Sequence, residues 1–227
     1  MSILRAVDLR KSFRSPDGRV IEVLRGCDLT LARGEEVAIV GRSGSGKSTL
    51  LNLLGCLDRP DGGALAFGDL DLTRARRHAL ARFRGRHLGF VFQAFHLIPS
   101  LTAWENVLLA ARYVGRGPRE AARAAQDLFE RLGIAERKGH YPPALSGGEQ
   151  QRVAFCRAVL NDPTVILADE PTGNLDEDNA RVILAELRTR ARAGETAVLL
   201  VTHNPDLART ADRVLHLAAG RLVAGSF

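Results

Sequence analysis

The sequence predicts an α/β fold: a sheet-based core, an antiparallel β layer ahead of it, and an α-helical subdomain inserted into it. Three observations carry that reading. Short β-capable runs crowd the first third of the 227-residue chain. Near-continuous apolar runs at 37–40, 88–92, 165–168 and 196–202 then read as strands buried on both faces, the pattern of parallel strands. Between about 93 and 160 the composition turns to alanine, leucine and arginine, which favour helices. With 45% hydrophobic residues the chain can bury one sizeable core. We expect one domain over 1–227, with about 1–92 and 161–227 as the core and about 93–160 as the helical subdomain.

Taken in order, residues 3–9, 20–24, 27–31 and 36–40 are expected strands, separated by turns at Ser15-Pro16-Asp17-Gly18, Arg25-Gly26 and Arg33-Gly34. Phe13 precedes the first turn, where its ring either packs on the layer or stacks on a nucleotide base. Residues 41–49, GRSGSGKST, fit GxxxxGK[ST], with Gly41 and Gly46 as the fixed glycines. Glycines let the backbone take positive φ and bring its N–H groups close to a polyphosphate, and the helix that starts here aims its dipole at the same charge. Lys47 would reach the β- and γ-phosphates, and Ser48 would hold magnesium. Leu50, Leu53, Leu54 and Leu57 follow at helical spacing, so the pattern lies between a strand and a helix, as a P-loop requires.

Residues 58–63 break the chain and 64–67 form a further short strand. The run Arg74, Arg76, Arg77, Arg82, Arg84, Arg86 admits a nucleic-acid or membrane patch, but Leu80 and Phe83 supply an apolar stripe that leaves the arginines on a solvated helix face. The apolar run 88–92 ends on Gln93, and a proline-broken loop with Phe95 and Leu97 follows; together with Trp104 it is either packed on its own domain or built for a partner. Thr102 and Glu105 match a capping box, as do Ser146 and Glu149 in LSGGEQQ, 145–151. There the adjacent Gly147 and Gly148 also expose bare N–H groups, a second anion site. A helix over 119–132 stops at Gly133. The strand 165–168 ends in Asp169-Glu170, two carboxylates that are costly at such a place unless a cation or a proton-transfer role occupies them. Asp169 is the candidate magnesium ligand through water, and Glu170 the candidate general base. A helix spans 177–193, and strand 196–202 delivers His203 to the edge where parallel sheets place ligands. The chain closes with a short helix, a strand at 213–217 and a hairpin through Ala219-Gly220.

Composition excludes several classes. No run of 18 apolar residues exists, and the first residues carry charges where a signal peptide needs an unbroken apolar core, so a soluble, cytoplasmic chain is expected. Cys27, Cys56 and Cys156 match neither a disulfide framework nor a zinc site. A formal charge of +6 suits anionic partners without selecting one.

Together these residues resemble the nucleotide-binding subunit of ABC transporters, over about 3–223. The specific part is LSGGEQQ a short way ahead of VILADE; a Walker A motif (41–49), a Q-loop glutamine (Gln93), the signature (145–151), a Walker B segment (165–170), a D-loop (174–176) and a switch histidine (His203) stand in the family's order. The resemblance implies an ABC ATPase fold and an ATP-hydrolysing homodimer, packed head to tail so that each ATP lies between the Walker A of one copy and the signature of the other. It implies that Phe13 stacks on adenine, that Gly41, Ser43, Gly44, Gly46, Lys47, Ser48 and Thr49 hold the phosphates, and that Ser48, Gln93 and Asp169 serve Mg2+. Ser146, Gly147 and Gly148 of the second copy would meet the γ-phosphate, near Asp176; Glu170 would polarise the water and His203 would clamp the γ-phosphate. The family commonly has tyrosine at Phe13, so a hydroxyl contact is lost here. PTGNLD and FHLIPSLTAWENV look most like the branch that serves macrolide exporters, lipoprotein-release complexes and the cell-division transporter-like pair. A membrane permease docking near Phe95, Leu97 and Trp104 is expected, which would hold the chain peripherally on the cytoplasmic face of the membrane. Soluble ATPases of DNA repair or translation carry insertions or a second ATPase unit that this chain lacks, so no nucleic-acid partner is expected; a signalling ATPase that moves no substrate is the other alternative.

Overall fold

The computed structural model describes residues 2–225. In chain order its strands and helices are β1 (Ser2–Arg14), β2 (Val20–Ala32), β3 (Glu36–Val40), α1 (Lys47–Leu54), β4 (Gly62–Phe67), β5 (Leu70–Asp71), α2 (Arg77–His87), β6 (Leu88–Phe92), α3 (Ala103–Val114), α4 (Pro118–Arg131), α5 (Gly147–Val159), β7 (Val165–Asp169), α6 (Glu177–Arg192), β8 (Ala197–Val201), α7 (Pro205–Ala208), β9 (Arg213–Ala218) and β10 (Arg221–Ala224). They fall into two compact units, one up to Leu80 and again from Ala191 onward, the other from Ala81 to Arg190.

The first unit holds the antiparallel layer, in the order β2-β1-β4-β5. It also holds β3, which pairs in parallel with β8 on one side and β9 on the other, and β10, which returns antiparallel on β9. Every residue of β3 (EVAIV) and of β8 (AVLLV) is buried, as parallel strands covered on both faces require. Ala219 (φ 48°) and Gly220 (φ 76°) both take positive φ, which a two-residue turn needs to match the twist of β9 and β10.

Two local expectations fail here. Arg25-Gly26 is not a turn: β2 runs unbroken through it, and the register with β1 slips between Ala6 and Leu9 and again before Arg10. Gly26 sits at φ 99°, and a Cβ there would lie 2.5 Å from Asp8 Oδ1. The glycine marks a bulge inside a strand, which shares its sequence signal with a turn. Leu57 lies past the helix it was assigned to, because α1 stops at Gly55 and leaves Leu57 49% exposed. Leu50, Leu51, Leu53 and Leu54 supply the buried face instead.

In the second unit β6 and β7 pair in parallel, ending on the pair Phe92 and Asp169. Helix α5 buries Val153, Ala154, Phe155, Cys156 and Val159. It approaches β6 so closely that a Cβ on Gly89 would lie 2.6 Å from the Ala158 carbonyl. Phe83 is buried while His78, Arg82 and Arg86 of α2 are exposed, so the arginine run is a solvated helix face. The capping boxes at Thr102/Glu105 and Ser146/Glu149 both form.

The loop ahead of α3 is tied down by Asn106, which is fully buried. Its Oδ1 accepts from Ile98 N at 2.8 Å, and its Nδ2 donates to the carbonyls of Ile98, Leu101 and Thr102 at 3.0–3.1 Å. Removing the amide leaves several backbone groups without that partner, so Asn106→Ala is expected to lose about 2–4 kcal/mol of stability. Urea unfolding measures the loss, and limited proteolysis should then cut first within 94–101.

Candidate functional site

In the first unit the P-loop grows out of β3. A Cβ on Gly41 would lie 2.7 Å from the Leu217 carbonyl of β9, so only glycine lets the loop leave the sheet there. Gly44 (φ 76°) and Gly46 (φ 100°) then turn it with positive φ. Gly46 caps α1 without any side-chain hydrogen bond, so no side chain takes the N–H groups of the first helical turn. Lys47 is buried and folds back over the loop, its Nζ donating to the carbonyls of Gly41 at 2.9 Å and Arg42 at 3.0 Å. Ser43, Gly44 and Ser48 are exposed, and Thr49 is half-buried. Uncapped N–H groups, a positive helix end and a reachable ammonium fit a polyphosphate.

His203 emerges beside this loop within the same unit. Thr202 N donates to the Ile39 carbonyl at 3.1 Å, so β8 continues along β3 to its last residues and releases His203 at the edge where β3 releases Gly41. The turn is fixed on its far side by Asn204, whose Oδ1 caps α7 by accepting from Asp206 N and Leu207 N. Phe13, on β1, is 44% exposed with Lys11 Nζ 5.4 Å from its ring centroid.

In the second unit β6 and β7 release Gln93 and Glu170 side by side, directly after the paired Phe92 and Asp169. Glu170 takes φ 45°, a left-handed conformation rare for a glutamate, and its carbonyl accepts from Gly173 N at 3.0 Å. Gln93 is exposed, with its own carbonyl accepting from Asn174 Nδ2 at 3.1 Å. The turn at Ser146-Gly147-Gly148 lies over the loop carrying Asp176. Asn179 donates to Asp176 through its N–H and its Nδ2, and Arg152 of α5 donates to Asn179 Oδ1 at 2.7 Å. The Asn179 N–H bond holds the Asp176 carboxyl below its ordinary range. A Cβ on Gly148 would lie 2.4 Å from Asn179, so this buried position takes glycine for packing.

Two residues organise this unit without an individual role in the sequence pattern, although Gln151 closes the LSGGEQQ motif. Gln151, 1% exposed, donates to the carbonyls of Phe92 and Pro171. Arg157 donates to the carbonyls of Phe95 at 2.9 Å and His96 at 2.5 Å. Phe95, His96, Leu97, Pro99, Pro142, Pro143 and Gln150 line a groove of about 290 Å³. Trp104 is not among its walls: its ring meets the buried Phe129 edge-on at 5.5 Å and lies 5.1 Å from Lys138 Nζ.

Comparisons with known proteins identify the family. A family model for ABC transporters matches residues 24–173. The chain is 46% identical to the lipoprotein-releasing system ATP-binding protein LolD 2 of Chlorobaculum tepidum, over 98% of this chain and 92% of that protein. It is 47% identical to the macrolide export ATP-binding/permease protein MacB of Nitrosomonas europaea, over 96% of this chain but 33% of that protein, so it spans about a third of that relative. Among solved structures, the dimeric post-hydrolysis state of the ATP-binding cassette MJ0796 bound to ADP and Pi superposes with a TM-score of 0.91 at 36% identity, covering 97% of this chain and 96% of that one.

The capping box gives a pH signature. A hydrogen bond from Arg137 at 2.6 Å, then one from the Ser146 N–H, lower the Glu149 carboxyl to about 2. A depressed acid contributes its stability in full above its ordinary value, 4.5, and loses it as pH falls toward about 2. Glu149→Gln should therefore be less stable than the natural protein by about 1 kcal/mol at neutral pH, the size of a helix cap partly screened by solvent. Urea melts should show that gap closing below pH 4.5.

Proposed function

The chain belongs to the ABC transporter family, as an ATP-hydrolysing nucleotide-binding subunit, and from that premise we propose that copies pair head to tail around ATP and drive a separate membrane permease. The observation that carries this reading is a pair of anion-ready helix starts in one chain: the uncapped α1 behind the P-loop, and α5, whose capping box leaves the N–H groups of Gly147 and Gly148 outside it. Head-to-tail pairing gives each triphosphate one of each. The dimeric state of the MJ0796 cassette supports it.

In this reading Phe13 stacks on adenine, and Gly41 to Thr49 enclose the phosphates with Lys47 as the point charge. Ser146, Gly147 and Gly148 of the second copy donate to the γ-phosphate, and Asp176 holds the loop at the junction. The hydroxyl of Ser48 in the first unit, and in the second the amide of Gln93 and the carboxylate of Asp169, are each hard oxygen donors of the kind that suits Mg2+, an ion that would neutralise charge on the transferred phosphoryl group. Glu170 orients the attacking water and accepts its proton, and His203 donates to the γ-phosphate. The work is positioning and charge stabilisation.

No helix among the described residues is long and apolar enough to cross a membrane. In this reading the permease holds the chain at the membrane. The groove beside Phe95 and Leu97 receives a cytoplasmic helix of that partner; it is concave, partly apolar, and formed by the loop that follows Gln93. Likeness to lipoprotein-releasing and export subunits supports a substrate handled outside the cytoplasm.

Glu170→Gln should bind ATP with Mg2+, elute as a dimer on size exclusion, and hydrolyse at least about a hundredfold more slowly, as loss of a general base predicts. An elution volume unchanged by ATP would sink the dimer. Lys47→Ala should lose nucleotide binding in a fluorescent-ATP titration. Leu97→Asp should keep its own ATPase activity and fail to retain the permease on co-purification from membranes.

A further inference from the structure

Gln151 is a polar side chain buried on α5. Its Nε2 donates to the Phe92 carbonyl at 3.2 Å and to the Pro171 carbonyl at 2.7 Å, while its Oε1 is buried with no hydrogen-bond partner among the described residues. That orphaned acceptor costs about 1–3 kcal/mol, but an apolar residue of the same volume would leave two backbone carbonyls without their donor, so a donor at this position has a specific backbone target. The carbonyls it holds are particular ones. Phe92 directly precedes Gln93, and Pro171 directly follows Glu170. One amide therefore spans the ends of β6 and β7, and it is carried by the helix whose first turn is the signature glycines.

We propose that Gln151 is a positioning residue for hydrolysis, fixing the spacing of Glu170 and Gln93 and tying both to the signature turn of the same chain. The proposal rests on the head-to-tail reading above. In that dimer the signature of each copy serves the triphosphate on the other copy's P-loop, whereas Glu170 serves its own. Gln151 thus joins one ATP site to the other: a shift of α5 as one γ-phosphate is engaged is passed to the carboxylate at the second. The donors that bind nucleotide and close the dimer lie elsewhere, at Lys47 and at Ser146 to Gly148. Removing the Gln151 N–H leaves binding and closure intact and slackens Glu170, whose φ of 45° needs external support.

The test measures fluorescent-nucleotide affinity, ATP-induced dimerisation, and single-turnover hydrolysis with Mg2+ for the natural protein, Glu170→Gln, Gln151→Met and Gln151→Glu. Gln151→Met fills the same space and donates nothing. It should bind ATP within about threefold of the natural protein, dimerise, and hydrolyse at least about tenfold more slowly, as expected for a slightly misplaced reacting group. Gln151→Glu can donate only when protonated, which burial favours, so its rate relative to the natural protein should rise as pH falls from 8 to 6. An undiminished rate in Gln151→Met, or an equal loss of nucleotide affinity, overturns the proposal. Should Gln151→Met fail to fold, the Gln151→Glu profile decides, and a flat profile overturns it. If Glu170→Gln stays monomeric with ATP, the dimer reading falls and takes this inference with it; a dimer with unaltered Gln151→Met kinetics removes the inference alone.

Discussion

A buried parallel strand must end, and the backbone groups left at its end must find partners outside the ladder. The candidate residues that end strands here, Gly41, Gln93, Glu170 and His203, stand where that obligation falls. In the first unit Lys47 returns to the carbonyls of Gly41 and Arg42, and Thr202 N reaches Ile39. In the second, Gln151 takes Phe92 and Pro171, Asn174 takes Gln93, and Arg157 takes Phe95 and His96. The side chains that close the sheet are therefore neighbours, in sequence or in space, of those that would handle phosphate. Chemistry at a strand end comes with scaffolding already demanded by the fold.

The signature turn shows how one segment serves both stability and binding. A helix start has more N–H groups than it can pair. Here Glu149 Oε2 takes the Ser146 N–H at 2.8 Å, and Ser146 Oγ takes the Glu149 N–H at 3.3 Å. That reciprocal cap stabilises α5 while leaving Gly147 and Gly148 between the two bonded positions. A capping box and an anion site are usually weighed as rival explanations of such a sequence. In this geometry the first prepares the second, because the cap holds the turn open with its central donors unspent.

How far the residues announce all this depends on the kind of interaction. Strands β3, β6, β7 and β8 were legible because apolar runs have few other uses, and both capping boxes because their spacing is short and local. The place of the P-loop between β3 and α1, and of Gln93, Asp169-Glu170 and His203 at strand ends, was legible from the apolar runs ahead of them. Gly26 was misread because a bulge and a turn draw on the same positive φ, and only the cross-strand register separates them. Leu57 was misread because helical spacing continued past Gly55, where the helix does not. Trp104 was assigned to a surface, but its edge packs on Phe129, some 25 residues away in a helix whose facing side no local pattern discloses. Gln151 was legible only as the last residue of LSGGEQQ, and Arg157 left no signal. Their roles are bonds to carbonyls remote in sequence, and a carbonyl has no residue identity to read.

Positive φ in residues other than glycine completes the account of where strain resides. Glu170 (φ 45°) and His96 (φ 48°) both sit on segments leaving the end of the β6–β7 pair, and each such residue costs of order 1 kcal/mol that glycine would avoid. Stability would favour glycine or asparagine at both. At Glu170 the general-base role proposed above would account for the exception, since no glycine can accept a proton. At His96 the explanation is packing: its ring meets Phe92 edge-on at 5.3 Å, and its carbonyl is taken by Arg157. The strained groove loop and the strained catalytic candidate are therefore both anchored to α5, through Arg157 and Gln151, by side-chain bonds to backbone carbonyls. Each turn is held to the same helix by side-chain donors, so relaxing either one costs a bond to α5.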